Sequence, residues 1–303
     1  MFSSLWKRIL AGILIVLTIA GVYFREEIIF NARLMNVVRV GNAYYEEYPY
    51  LTKNIKYGPK SHQVLDVYRP ADDKAYPVVL YIYGGGWNSG NKELYALVAQ
   101  KLVPQGMIVV VPAYQLYPDA TYPTMVEDVA TAIAWTKQNI ATYNGDPTRI
   151  IVGGQSAGAQ LSAMALLDPA VQQLTMTAPA LCGYFGISGV YDIAEQYAYE
   201  YANGRTAPIM TAVMGGVERF EETSPRVQSL TVFPQTLLIH GDADDTVDIS
   251  MSQQYADALS AATVPVTFKP YPGRGHSELL FHALTEEPGR LITDVSTFTN
   301  ACP

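Results

Sequence analysis

The stretch Arg149-Ile150-Ile151-Val152-Gly153-Gly154-Gln155-Ser156-Ala157-Gly158-Ala159 constrains this chain more than any other, because a β-branched run stops abruptly in small residues and then gives way to helix formers. It predicts a strand, a sharp turn, and a helix running through Ala159-Gln160-Leu161-Ser162-Ala163-Met164-Ala165-Leu166-Leu167. Ser156 stands at the centre of Gly154-Gln155-Ser156-Ala157-Gly158, whose small flanks let the turn tighten until the serine Oγ projects free. In that geometry the backbone N–H of Ala157 and the positive end of the helix dipole converge on whatever the hydroxyl touches. Glycine-flanked serines also occur in ordinary loops. The strand before Ser156 and the helical run after it argue against that reading here.

On either side of this unit, strand and helix patterns alternate. Gln63–Tyr68 alternates like a half-buried strand, and Arg69-Pro70-Ala71-Asp72-Asp73 supplies a turn. Tyr76–Tyr83 is continuously apolar, as a strand covered on both faces requires, and it runs into Gly84-Gly85-Gly86-Trp87. A helical stretch from Glu93 to Val103, a strand at Met107–Val111 and a longer helix from Pro123 to Ile140 follow. Further strands are expected at Ala180–Ile187, Gln235–Ile239 and Val266–Pro270, with a last helix from Leu291. This rhythm is that of an α/β fold with a mostly parallel central sheet covered by helices on both faces. Ile193–Val227 interrupts it. The segment lacks a strand pattern, holds Tyr197, Tyr199 and Tyr201 and a helical run at Met210–Met214, and reads as a short cap insertion over the C-terminal edge of the sheet.

Not all of the 49% hydrophobic content belongs to a core. Ile9–Phe24 is an uncharged apolar run preceded by Lys7 and Arg8, the asymmetry of a segment inserted with its N-terminus in the cytoplasm. Residues 1–24 are read as a membrane anchor that leaves the body outside the cytoplasm, in a periplasmic or extracellular location. The alternative is a secretory signal cleaved after Ala20, although Thr18-Ile19-Ala20 is a poor small-x-small site. Residues 25–52 then form a juxtamembrane helix and linker whose tyrosines (Tyr44, Tyr45, Tyr48, Tyr50) pack on the body, and residues 53–303 form the catalytic domain. A net charge of −8, with no extended Lys/Arg cluster in the body, argues against a nucleic-acid partner. The two cysteines, Cys182 and Cys302, are compatible with one disulfide in an oxidising compartment; two unpaired thiols are the other reading. No zinc-type spacing exists, and no metal or cofactor is expected.

A serine hydroxyl is a poor nucleophile at neutral pH and needs a base that is itself oriented by a third group. The chain has four histidines. His62 lies in a strand turn, His282 in an apolar helical stretch, and His240 at the end of a strand, ahead of the best acids. His276, in the glycine-rich loop Tyr271-Pro272-Gly273-Arg274-Gly275-His276-Ser277, is the candidate base. In chain order the acid falls between Ser156 and His276, and Asp242, Asp244 and Asp245 all qualify. Asp244 is preferred for its reach toward the centre, Asp245 comes next, and Asp242 is assigned to structuring the turn. Tyr83-Gly84-Gly85-Gly86-Trp87 supplies backbone N–H groups that a ligand oxygen can approach closely because no Cβ intervenes. A flexible glycine turn would explain the glycines but not their place directly after a buried strand.

With these motifs the chain resembles an α/β-hydrolase of the carboxylesterase/lipase group that carries a His-Gly-Gly-Gly type motif. It is similar to the branch that holds prenylcysteine methylesterase, feruloyl-esterase-like and kynurenine-formamidase-like proteins. The matching stretches are Leu65–Pro70, Gly84–Trp87, Pro123–Val129, Gly145–Ile150, Gly154–Ala159, Ser188–Asp192, His240–Asp244 and Gly275–His276, spread over residues 53–300. The resemblance implies a triad of Ser156, Asp244 and His276 and an oxyanion hole of Gly85, Gly86 and Ala157. It also implies a serine carboxyl-ester hydrolase with a small-molecule ester substrate, but it does not carry the substrate's identity. The tyrosines and apolar helix of 193–227 are assigned to a short cap over the acyl pocket, too small for a long chain, so short- to medium-chain or aromatic esters are expected. One departure stands out: Tyr83 replaces the histidine that opens the family's motif and is thought to brace the glycine loop. An amidase or peptidase on the same triad, and a catalytically silent membrane-anchored binding protein, are the other readings.

Overall fold

The computed structural model describes residues 35–36, 38–176, 181–285 and 289–302. The apolar run read as an anchor or signal, and residues 25–34 of the juxtamembrane stretch, lie outside the described residues. Eight strands form one sheet: β1 (Leu51–Lys56), β2 (Val64–Tyr68), β3 (Tyr76–Ile82), β4 (Ile108–Pro112), β5 (Gly145–Gln155), β6 (Gly183–Ile187), β7 (Thr236–Gly241) and β8 (Val266–Tyr271). Their spatial order is β1-β2-β4-β3-β5-β6-β7-β8. β1 and β2 pair antiparallel, as do β2 and β4, and from β4 to β8 every pairing is parallel. Strands β3, β4 and β6 are almost wholly buried, which is why their sequences carry uninterrupted apolar runs. Each fully buried Val, Leu or Ile there contributes roughly 1.5–3 kcal/mol of transfer free energy.

The helices are α1 (38–47), α2 (Ala96–Leu102), α3 (Tyr122–Asn139), α4 (Ala157–Leu166), α5 (Pro169–Met176), α6 (Ile193–Ala202), α7 (Pro208–Met214), α8 (Ser250–Ala261), α9 (His276–Thr285) and α10 (Arg290–Asn300). Helices α2, α9 and α10 pack on one another over one face of the sheet, and α3, α4 and α5 pack together over the other.

Strand β1 is a departure from the reading of 25–52 as helix and linker, since the sheet already begins at Leu51. Its sequence, Leu-Thr-Lys-Asn-Ile-Lys, is short and mostly polar because it is an edge strand, and Lys53 and Lys56 discourage pairing with another chain. The register slips between Thr52 and Ile55, and Asn54 sits at φ 57°. The Asp66 carboxylate repairs the gap by accepting the Asn54 N–H at 2.8 Å. Its other oxygen binds the buried Lys92 ammonium at 2.9 Å, which also donates to the Tyr45 hydroxyl at 3.1 Å. Asp66 thus ties α1, β1 and the segment after β3 together. The tyrosines of this region pack on the body as expected: Tyr45 is buried, Tyr44 stacks on Tyr48 and Tyr68, and Tyr48 donates to the Arg69 carbonyl at 2.8 Å.

Cys182, just before β6, and Cys302, just after α10, are joined in a disulfide across 120 residues of sequence. Closing a loop of that size chiefly restricts the unfolded chain. Replacing both cysteines by serine is expected to lower the unfolding free energy by about 2–4 kcal/mol, while activity at 25 °C is retained. Denaturant titration of the two proteins measures it; equal midpoints with equal slopes would show that the link contributes nothing.

Candidate active site

Strand β5 ends at Gln155, α4 begins at Ala157, and Ser156 alone makes the turn, at φ 57° and ψ −125°. A side-chain residue in this region costs of order 1–3 kcal/mol and persists only when its surroundings over-determine it. Here the Ser156 N–H donates to the Ile187 carbonyl at 2.9 Å, and the Ser156 carbonyl accepts from Ala159 and Gln160 at 3.0 and 3.2 Å. The flanking glycines are required by close packing. A Cβ on Gly154 would lie 2.4 Å from the Ile82 carbonyl oxygen, and one on Gly158 would lie 2.2 and 2.3 Å from the carbonyl oxygens of Ile82 and Tyr83. The end of β5 and the start of α4 therefore press directly on the end of β3, which brings Ser156 beside the glycine loop.

His276 Nε2 lies 2.9 Å from Ser156 Oγ, and His276 Nδ1 lies 2.8 Å from Asp244 Oδ2. Of the three candidate acids, only Asp244 joins this line. Asp245 is exposed and, among the described residues, its carboxylate meets only the Thr246 hydroxyl, at 3.3 Å, while Asp242 accepts the Gly273 N–H at 2.6 Å and so fastens the loop that carries His276. Asp244 is fully buried as a side chain. Burial alone would raise its carboxyl, but His240, His276 and the Val247 N–H hold it well below the usual carboxylate range. An ionised carboxylate accepts only, so the His276 proton sits on Nδ1 and the Nε2 lone pair faces the serine hydroxyl. That is the tautomer a base requires. The Gln155 side-chain amide also approaches Nε2, at 3.4 Å. His276 was expected in a loop and is instead the first residue of α9, so the helix fixes its backbone.

The other histidines are accounted for. His62 meets the buried Asp128 at 2.9 Å, a carboxylate that also accepts from the side chain of Gln63 and the backbone N–H of Gln115, and so staples β2 to α3. His282 lies further along α9. His240 is the one that reading the sequence passed over: it is the penultimate residue of β7, fully buried, with Nε2 only 3.2 Å from Asp244 Oδ2.

Opposite Ser156, Gly85 and Gly86 adopt φ 122° and 58°, conformations that favour glycine, and Trp87 follows at φ 63°. The Trp87 indole N–H donates to Gln160 Oε1 at 3.1 Å, and Gln160 in turn donates to the Thr223 carbonyl at 2.8 Å, which anchors the loop to α4 and the cap. Among the described residues, the backbone N–H groups of Gly85, Gly86 and Ala157 have no backbone acceptor. Tyr83 is buried between Tyr95 and Tyr114, with ring centroids 5.3 and 4.5 Å away. Its carbonyl accepts the Tyr114 hydroxyl at 2.8 Å, and its own hydroxyl takes the Tyr114 N–H at 3.5 Å. Stacking and these two contacts brace the start of the glycine loop without a histidine.

Ser156, His276, Gly85 and Gly86 open onto a cavity of about 920 Å³. The insertion at 193–227 lines one side of it, but not through its tyrosines. Tyr201 is exposed, and Tyr197 packs on Tyr201 and Phe220. The wall is made by Gln196, Glu200 and Arg205 together with Ile209 and Met210. Helix α6 buries Ile193 and Gln196 toward the body, while Tyr197 is partly buried against Phe220 and Tyr201 faces solvent. Arg205 Nε binds Glu200 at 2.6 Å and its Nη2 donates to the Asp245 carbonyl at 2.9 Å, which ties the cap to the loop carrying the acid.

The BD-FAE family model matches residues 65–259. The chain belongs to the BD-FAE family. The match begins in β2 and ends in α8, so it contains the Ser156 turn, the glycine loop and Asp244. An Arabidopsis thaliana protein named isoprenylcysteine alpha-carbonyl methylesterase ICME is 32% identical over 241 residues, which are 75% of this chain and 56% of that protein. Esterase LipC of Mycobacterium tuberculosis is 30% identical over 238 residues, 74% of this chain and 59% of its own length. The chain thus spans a little over half of each of these relatives. The esterase of the archaeon Pyrobaculum calidifontis superposes with a TM-score of 0.71 at 21% identity, covering 91% of this chain and 93% of the esterase. The BD-FAE chain has the α/β-hydrolase fold.

Proposed function

We propose that the chain is a carboxylic ester hydrolase that works through an acyl-enzyme on Ser156. The observation that carries this reading is the line Ser156 Oγ, His276, Asp244, with links of 2.9 and 2.8 Å, ending at a cavity beside backbone N–H groups without internal backbone acceptors. As Oγ attacks the ester carbonyl, its proton passes to His276 Nε2, and the imidazolium is stabilised by the ionised Asp244. The carbonyl oxygen becomes an oxyanion facing the N–H groups of Gly85, Gly86 and Ala157, fixed donors that need no reorganisation. Collapse expels the alcohol, which takes the proton from Nε2. Water then adds to the acyl-enzyme through the same imidazole, releasing the acid and restoring Ser156. The names carried by the relatives, methylesterase and esterase, support the reaction class. Hydrolysis of p-nitrophenyl butyrate by the protein, lost in Ser156→Ala, tests it.

The substrates we assign are short- to medium-chain or aromatic esters. Apolar side chains on the wall, Val190, Ile209 and Met210, cover an acyl group, while the Glu200–Arg205 pair interrupts that cover with charge and limits the length it can follow. The body is placed outside the cytoplasm, attached by the N-terminal apolar run or released after its cleavage. Lys7 and Arg8 before Ile9–Phe24 support the orientation, and the Cys182–Cys302 disulfide suits an oxidising compartment. An alkaline phosphatase fusion at the C-terminus is expected to be active in cells, and an inactive fusion with full expression would reverse the topology.

A further inference from the structure

Asp244 carries a second imidazole. His240 Nε2 lies 3.2 Å from Asp244 Oδ2, the same oxygen that receives His276 Nδ1, and 2.9 Å from the Val247 carbonyl. Both neighbours of Nε2 are acceptors only, so that nitrogen carries a proton. His240 Nδ1 lies 2.7 Å from Ser252 Oγ, and a buried hydroxyl directs its proton to an available acceptor, so Nδ1 is the acceptor there. His240 is therefore neutral, in the Nε2–H tautomer, and fully buried. Asp244 Oδ1 meanwhile accepts the Thr246 and Val247 N–H groups at 3.0 and 2.9 Å. Three donors hydrogen-bond the carboxylate, and the His240 Nε2–H, bonded to the Val247 carbonyl, faces Oδ2 as a fourth polar neighbour. Around the His240 ring, α8 contributes Ser252, β8 pairs Pro270 in register, and the following loop contributes Val247 and the ionisable Asp244.

We propose that His240 is a positioning residue: as a fixed neutral imidazole it shares Asp244 with His276, holds Oδ2 in place and draws off part of its charge. The proposal rests on the triad reading above. Its consequence lies in the basicity of His276. A carboxylate relieved of one donor stabilises the neighbouring imidazolium more strongly, so losing His240 raises the pH at which His276 gives up its proton. Without Nε2–H, Oδ2 also loses one of its two imidazole neighbours, while Oδ1 stays on the Thr246 and Val247 N–H groups.

The test is the pH dependence of kcat/KM for p-nitrophenyl butyrate in the wild-type chain, His240→Leu and His240→Gln. In His240→Leu the acidic limb is expected to move up by about half a pH unit or more, with kcat lowered about 10- to 100-fold and KM within about twofold. Gln places an amide N–H near the Nε2 position and is expected to bring the limb back toward wild type. A limb that stays where it was in His240→Leu, whatever the loss of rate, overturns the proposal, because a packing role alone does not move it. A second measurement needs no variant and no catalysis. Nitrogen-15 NMR of the wild-type imidazoles is expected to show His240 neutral with its proton on Nε2 across the range in which His276 titrates, and a His240 that titrates there, or holds its proton on Nδ1, overturns it. If the wild-type chain fails to hydrolyse the ester, the esterase reading falls, and the NMR result still decides the state of His240.

Discussion

Ser156→Ala is expected to lower kcat for p-nitrophenyl butyrate by about six orders of magnitude, with the fold intact. Among the described residues the Ser156 hydroxyl makes its hydrogen bond to His276 and contributes no core packing, so removing it leaves stability within about 0.5 kcal/mol. The turn survives because its conformation is set by the backbone bond to Ile187 and by glycines pressed against β3, and alanine needs no more room than serine. The N–H groups of Gly85, Gly86 and Ala157 remain, so a residual rate well above that in water is expected, about 10³-fold. His276→Ala should fall by a similar factor, and the double variant little further, since the serine cannot act without its base. Activity near wild type in Ser156→Ala, in protein free of contaminating esterase, would remove Ser156 from the mechanism.

The parallel part of the sheet was legible because strands buried on both faces cannot hide their composition: β3, β4 and β6 read as apolar runs at nearly their observed bounds. β1 was not, since an edge strand with lysines and an asparagine at positive φ has the composition of a linker. What identifies it is three-dimensional, the Asp66 carboxylate filling its register slip. The disulfide was open in sequence for a related reason. Cys182 and Cys302 are distant in the chain, and only the placement of α10 beside β6 brings them together.

In the site, residues whose chemistry depends on local backbone were legible, and those that depend on packing direction were not. Gly-x-Ser-x-Gly and the triple glycine declare their turns because no other residue fits them. The cap tyrosines invited assignment to the acyl pocket because they are large and apolar, yet α6 turns Gln196 and Glu200 to the cavity and leaves Tyr201 exposed. Helical phase decides this, and the phase is set by Asp192, which caps the helix by accepting the Glu195 N–H at 2.9 Å and is itself bound by Arg226. His240 was passed over because it precedes the acid in the chain. A histidine near the end of a buried strand, four residues before that acid, was the available signal, and only the turn between them places its ring on the carboxylate.

Asp244→Asn is expected to lower kcat by about four orders of magnitude, while Asp245→Asn and Asp242→Asn change it by about twofold or less. The size follows from which way the new amide must point. Asp244 Oδ1 accepts two backbone N–H groups, from Thr246 and Val247, so the asparagine carbonyl is held at that position and its NH₂ is forced to the Oδ2 side. There it faces His276 Nδ1 and His240 Nε2, both donors in the wild-type protein. The His276 ring can accept from the amide only by moving its proton to Nε2, and that nitrogen then cannot take the serine proton. The loss is one of tautomer, not of position, so KM should change little. Asp242→Asn keeps an oxygen for the Gly273 N–H, and Asp245 touches neither imidazole, hence their mild effects. If Asp245→Asn proved the severe variant and Asp244→Asn the mild one, the acid would be Asp245 and the loop after β7 would turn differently when substrate is bound.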